Sequence, residues 1–172
     1  LYQDGVEISA WGKLYKSEYY QNVRYPVGKL YEDVSTTYLL IEKAQKIAVI
    51  SNVDYYYFQR KNSIAQAEFS IRKMDAINNM HIFGAFIEEK HPKLMDAFEC
   101  RYFSTVCNIL FQIDKPEFEK AKKDLWNDVK RCRFDVLRNP NARLKSRLAA
   151  TVSYGGYHIM KKIYQWNENR SR

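Results

Sequence analysis

Several kinds of catalytic and structural apparatus are missing from these 172 residues. The histidines, His81, His91 and His158, lie at least ten residues apart, with no His-Glu-x-x-His and no paired-cysteine spacing, which removes support for a metal site in this chain. No nucleophile-elbow pattern is present, so a serine hydrolase is disfavoured. The three cysteines, Cys100, Cys107 and Cys132, are odd in number and form no close pair. That fits buried free thiols in a reducing compartment better than a disulfide framework. No apolar run approaches the roughly 18 to 20 residues of a membrane span, and the first residues do not read as a signal peptide. Internal repeats and low-complexity tracts are absent as well.

What is present points to a folded chain. A hydrophobic share of 46% with 15% aromatic residues is far from a disordered composition, and the length is enough to bury a core. The net charge of +8 is uneven: residues 119–172 hold 14 Lys and Arg against 5 Asp and Glu, a net of +9, which leaves −1 for residues 1–118. The basic third has three readings: solvated helix faces, attachment to an anionic membrane surface, and, ranked last for want of a recognition module, nucleic-acid binding. Arg143, Lys145 and Arg147 beside Leu144 and Leu148 form the basic amphipathic stretch that a membrane reading would use.

Periodicity divides the chain. Residues 6–20 read as a short extended segment followed by a brief helix near 16–22. Tyr25-Pro26-Val27-Gly28 marks a turn. Residues 32–44 read as a helix with Glu32 and Asp33 in its first turn, where free amides and the helix dipole favour carboxylates. Ile47-Ala48-Val49-Ile50 and Tyr55-Tyr56-Tyr57-Phe58 read as two strands, paired as a hairpin or separate. From Ser70 onward the pattern is helical: one stripe of Ile71, Met74, Ile77, Asn78, His81, Ile82 and Phe86, a second helix over 92–111, a third over 116–137, and a last over 142–163 interrupted by Gly155-Gly156.

Four blocks, Ser9-Ala10-Trp11-Gly12-Lys13-Leu14-Tyr15-Lys16, Tyr25-Pro26-Val27-Gly28-Lys29, Glu32-Asp33 and Tyr55-Tyr56-Tyr57-Phe58-Gln59-Arg60-Lys61-Asn62-Ser63-Ile64, together resemble the acceptor-side end of bacterial family-2 glycosyltransferases of the GT-A fold. The resemblance covers about the first third of the chain in detail and the residues beyond Ser70 only loosely. It departs at Gly12, where the family more often has Asn or Asp, and the Asp-x-Asp metal motif of the family occurs nowhere in the sequence. It implies the C-terminal portion of such an enzyme, beginning without Met on Leu1 and lacking the nucleotide-binding half.

The implied fold is mainly α with a small β component: residues 1–69 as the acceptor-side remnant of a GT-A-like α/β domain, and residues 70–172 as a helical extension. The implied activity is inverting sugar transfer from a nucleotide-sugar donor to a saccharide or lipid-linked acceptor in surface polysaccharide synthesis, with the isolated chain inactive. Such a reaction needs a base within about 3 Å of the acceptor hydroxyl, and the resemblance assigns that role to Asp33 beside Glu32. It places Trp11 and Lys13 at the acceptor, and Arg60, Ser63 and Gln59 near the donor, where a guanidinium suits pyrophosphate oxygens. No cofactor is expected in this portion, and a divalent Mg or Mn ion would belong to the absent half. The implied location is cytoplasmic, or peripheral at the inner face of the cell membrane. Each residue also has a structural reading: helix-capping carboxylates, a core Trp, a solvated Lys, a surface Arg. The rival for the chain as a whole is a noncatalytic helical scaffold or protein-interaction domain.

Overall fold

A computed structural model describes residues 1–2, 8–58, 63–64 and 67–171. Among the described residues there is no β-strand. The α-helices are α1 (Thr37–Glu42), α2 (Asp75–Lys90), α3 (Met95–Leu110), α4 (Glu119–Arg138), α5 (Leu144–Ser153) and α6 (Tyr157–Ser171), and 3₁₀ turns cover Ser17–Tyr20, Ile71–Met74, Pro92–Leu94 and Pro116–Phe118. The chain forms two compact units, Gln3–Phe83 and Gly84–Arg172 with Leu1–Tyr2.

In the second unit the helices pack in chain order, α3 on α4, α4 on α5 and α5 on α6. The seam follows from spacing. Phe98, Tyr102, Val106, Ile109 and Leu110 of α3 and Leu125, Val129, Cys132 and Val136 of α4 recur every three or four residues and are buried. Phe134 lies on the outside beside Arg138, because the buried row of α4 continues through Cys132 and Val136. Pro92 and Pro116 open their turns where a missing N–H costs nothing. Asn139 ends α4 with extended backbone, and its side-chain oxygen accepts the Asn141 N–H at 2.9 Å. Gly156, at φ 95°, separates α5 from α6 as the Gly155-Gly156 pair led one to expect.

In the first unit a loop is fastened to the start of α2. Asp75 accepts the Leu30 N–H at 3.1 Å, Asn79 donates to the carbonyls of Leu30 and Tyr31 at 3.0 and 2.8 Å, and Arg72 donates to the Gly28 carbonyl at 3.0 Å. These bonds hold Tyr31 at φ 56°, a left-handed conformation that costs a side-chain-bearing residue about 1–2 kcal/mol. The helix expected over 32–44 is shorter: residues 32–36 form turns and α1 begins at Thr37. Ala76, Ile77, Met80, Phe83 and Ile87 form the buried face of α2, whereas Ile71, His81 and Ile82 are exposed, so the expected stripe is rotated by about one residue.

The expectation of a GT-A-like α/β remnant is overturned by this architecture. A GT-A domain is built on a sheet, and a sheet requires strands hydrogen-bonded to one another; none is found among the described residues. Segments 47–50 and 55–58, expected as strands, run without helix, turn or bend, but form no ladder. The small β component is therefore absent from the described chain, and the catalytic domain, inverting sugar transfer and glycosyltransferase activity inferred from it fall with it. So do the partners that depended on that identity: the nucleotide sugar, the saccharide or lipid-linked acceptor and the anionic membrane surface. The local blocks misled because turns, aromatic runs and acidic helix starts are local chemistry, whereas a sheet is a long-range pairing that they do not encode.

Candidate interaction surface

The candidate site residues fall into separate environments. Asp33 accepts the N–H of Val34 at 2.9 Å through its side chain, and its carbonyl accepts from Thr37 at 2.9 Å, so it organises the turn that leads into α1. The Glu32 carbonyl accepts the Ser35 hydroxyl at 3.2 Å. Lys13 folds back on its own segment and donates to the Ser9 carbonyl at 2.7 Å and the Ser9 hydroxyl at 3.2 Å. Ser63 contributes its carbonyl to the Ala67 N–H at 2.9 Å. Gln59 and Arg60 lie outside the described residues. Arg143, Lys145 and Arg147 are exposed around the start of α5, with Leu144 and Leu148 exposed beside them.

Trp11 makes the contact that the sequence pattern does not foretell. Its ring stacks on Tyr55 (centroids 5.1 Å apart, planes at 11°) and on Tyr57 (4.9 Å, 21°). Tyr56 and Phe58 are directed elsewhere and lie 6.5 Å apart. Residues two apart therefore share a face, which is the side-chain alternation of a β-strand. The signal was legible in principle, since Tyr55 and Tyr57 have that spacing, but nothing local named Trp11 as their partner.

This alternation belongs to a longer exposed strip. Ile47, Val49, Ile50, Val53, Tyr55, Tyr56, Tyr57 and Phe58 are each at least 50% exposed, Val53 at 95%. Residues 46–58 make no backbone hydrogen bond among the described residues. Single exposed apolar residues are ordinary on a protein surface, whereas eight large ones clustered within residues 47–58 are the mark of a surface that meets another molecule.

The cysteine thiols offer no ready nucleophile. Cys100, Cys107 and Cys132 are free and buried. Burial raises all three thiols, Cys107 to about 12, so none is a ready thiolate. Tyr102 donates to Asp128 at 2.8 Å, and its buried phenol is likewise raised. A small cleft of about 160 Å³ between the first turns of α4 and α6 is lined by Glu119, Lys122, Lys123, Trp126, Tyr157 and His158. It is below the size of a typical small-molecule site, about 300–1,000 Å³. Among the described residues no cluster of three or more His, Cys, Asp or Glu is arranged to hold a metal ion, and no helix is long and apolar enough to cross a membrane.

Comparison with known proteins adds one partial likeness. A glycosyltransferase, GlyA, of Streptococcus pneumoniae serotype 4 (strain ATCC BAA-334 / TIGR4) is 36% identical over 59 residues, which is 34% of this chain and 8% of that protein. The chain thus spans less than a tenth of its curated relative. No protein-family model matches the chain, and no solved structure matches it. A likeness this short does not place the chain in a family, and it cannot supply the sheet that the described residues lack.

Proposed function

We propose that this chain is a noncatalytic helical scaffold whose task is to bind another polypeptide through residues 46–58. The observation that carries the reading is the exposed strip itself: eight large apolar side chains in one extended run without hydrogen bonds, set beside a core that is otherwise closed. Leaving such a surface in water forgoes about 25 cal/mol for each Å² of apolar area, a loss that binding recovers. The helices supply the frame, and the Trp11 stack with Tyr55 and Tyr57 fixes the end of the strip.

The test is a photo-crosslinking residue placed at Tyr56 of the chain in living cells, with Lys123 on the outside of α4 as the comparison position. Discrete crosslinked species are expected from position 56 and not from position 123. Equal labelling from both positions, or none from position 56, removes the binding reading.

A further inference from the structure

We infer that the partner of residues 46–58 is a second copy of this chain, paired antiparallel through the same residues about a two-fold axis at Ile50. The inference rests on the scaffold reading and names its partner.

The first support is backbone chemistry. Thirteen consecutive residues, 46–58, contain no helix, turn or bend and make no hydrogen bond among the described residues, so their N–H and C=O groups are open to a neighbouring strand. Side-chain alternation is already in place, since Tyr55 and Tyr57 share the face that meets Trp11. The segment is therefore shaped as a strand before any partner arrives, which lowers the ordering cost of pairing.

The second support is charge. The chain carries +8, concentrated in residues 119–172, so two copies repel wherever their basic final thirds meet. Residues 46–58 contain only Lys46 and Asp54 as charged groups and are neutral in sum. Antiparallel pairing centred on Ile50 places Lys46 of each copy opposite Asp54 of the other, twice over. The same register sets Ile50 against Ile50 and Ile47 against Val53. Shifting by two residues in either direction separates both charge pairs, and parallel in-register pairing sets Lys46 against Lys46 and Asp54 against Asp54. Opposite charges directly across a strand pair are favourable and like charges unfavourable, so the sequence of this strip specifies one self-complementary register.

The third support is the apolar content of the paired stretch. Ile47, Val49, Ile50 and Val53 all lie within the ladder and are 58–95% exposed, so pairing covers apolar surface on both copies. In the register centred on Ile50, residues 55–58 run beyond the ladder toward residues 42–45 of the second copy.

Sedimentation velocity of the full chain across concentration, paired with amide hydrogen exchange, tests the inference. The wild type is expected to form a dimer in which alternate amides of residues 46–54, those facing the partner strand, become protected as concentration rises. Lys46→Asp and Asp54→Lys, each creating two like-charge pairs, should each weaken the dimer by roughly tenfold or more. The double exchange K46D/D54K should restore it to near the wild-type affinity. Both positions are outside the core, and an unchanged circular dichroism spectrum separates loss of pairing from loss of fold.

A monomer at every concentration up to about 1 mM, a dimer indifferent to the single reversals, a double variant no tighter than the singles, a dimer without amide protection, or open-ended polymers would each overturn the inference. Crosslinking of position 56 to a different protein, together with a monomer in sedimentation, would overturn self-pairing and leave the scaffold reading standing.

Discussion

Gly84 lies where α2 comes against α3, and its lack of a side chain is what permits the approach. A Cβ there would lie 2.6 Å from the outer ring carbon of Phe98, which is itself buried. Gly84→Ala would gain helix propensity but force that ring to shift. The overpacking term is the larger, and a net loss of about 1–3 kcal/mol is expected in urea unfolding. Single positions also explain where sequence reading succeeded and failed. The three cysteines read correctly as buried free thiols because an odd count with no close pair argued against a disulfide framework. Trp11 was singled out as a site residue, yet its partners Tyr55 and Tyr57 were not, since a contact across more than forty residues leaves no local trace.

Helices α3 and α4 illustrate how much an element can carry. A polar link joins them at the buried seam, the Tyr102 hydroxyl donating to Asp128, which also lies 3.8 Å from Arg131. Tyr102→Phe keeps the ring and removes the donor. Because Asp128 is part-exposed and retains Arg131, the cost should stay near 1 kcal/mol, the ordinary net value of one hydrogen bond, measured by the urea midpoint at constant slope. A loss of 3 kcal/mol or more would mean that the bond organises the seam between the helices. The same helices were legible in advance because each closes its own hydrogen bonds and advertises its buried face at three- and four-residue spacing. Segments 47–50 and 55–58 were legible only as extended chain, since a strand's hydrogen bonds belong to whatever lies beside it.

Stability as a function of pH is a property of the whole molecule, and here its weak side is alkaline. Burial raises Tyr15 to about 12 and Cys107 to about 12, and moves Tyr25, Tyr31, Tyr38, Tyr102, Cys100 and Cys132 in the same direction. A raised acid pKa means that the folded state holds its proton more tightly than the unfolded chain. The associated stability is complete below the ordinary values of 9.0 for the thiols and 10.0 for the phenols and is lost as pH climbs from there toward 12. The melting temperature should accordingly fall progressively from about pH 9 upward, with tyrosinate absorbance lagging behind that of free tyrosine until unfolding. A melting temperature flat from pH 8 to 11 would contradict this. Native thiols should also stay unreactive toward a disulfide reagent at pH 8 and react together on denaturation.

Local periodicity and composition were enough to give α3 and α4, the breaks at Asn139-Pro140 and Gly155-Gly156, the buried thiols, and a basic final third beside a near-neutral remainder. Which face of α2 turns inward, that Asp33 serves a turn, that Trp11 meets Tyr55 and Tyr57, and that residues 46–58 remain without a ladder emerged only with the packed fold. The difference lies in the range of the interactions. A helix satisfies its backbone within four residues and so is written in the segment that forms it. A strand pair, a ring stack or a sheet joins segments far apart in the chain, and is settled only when the fold brings them together or leaves them apart.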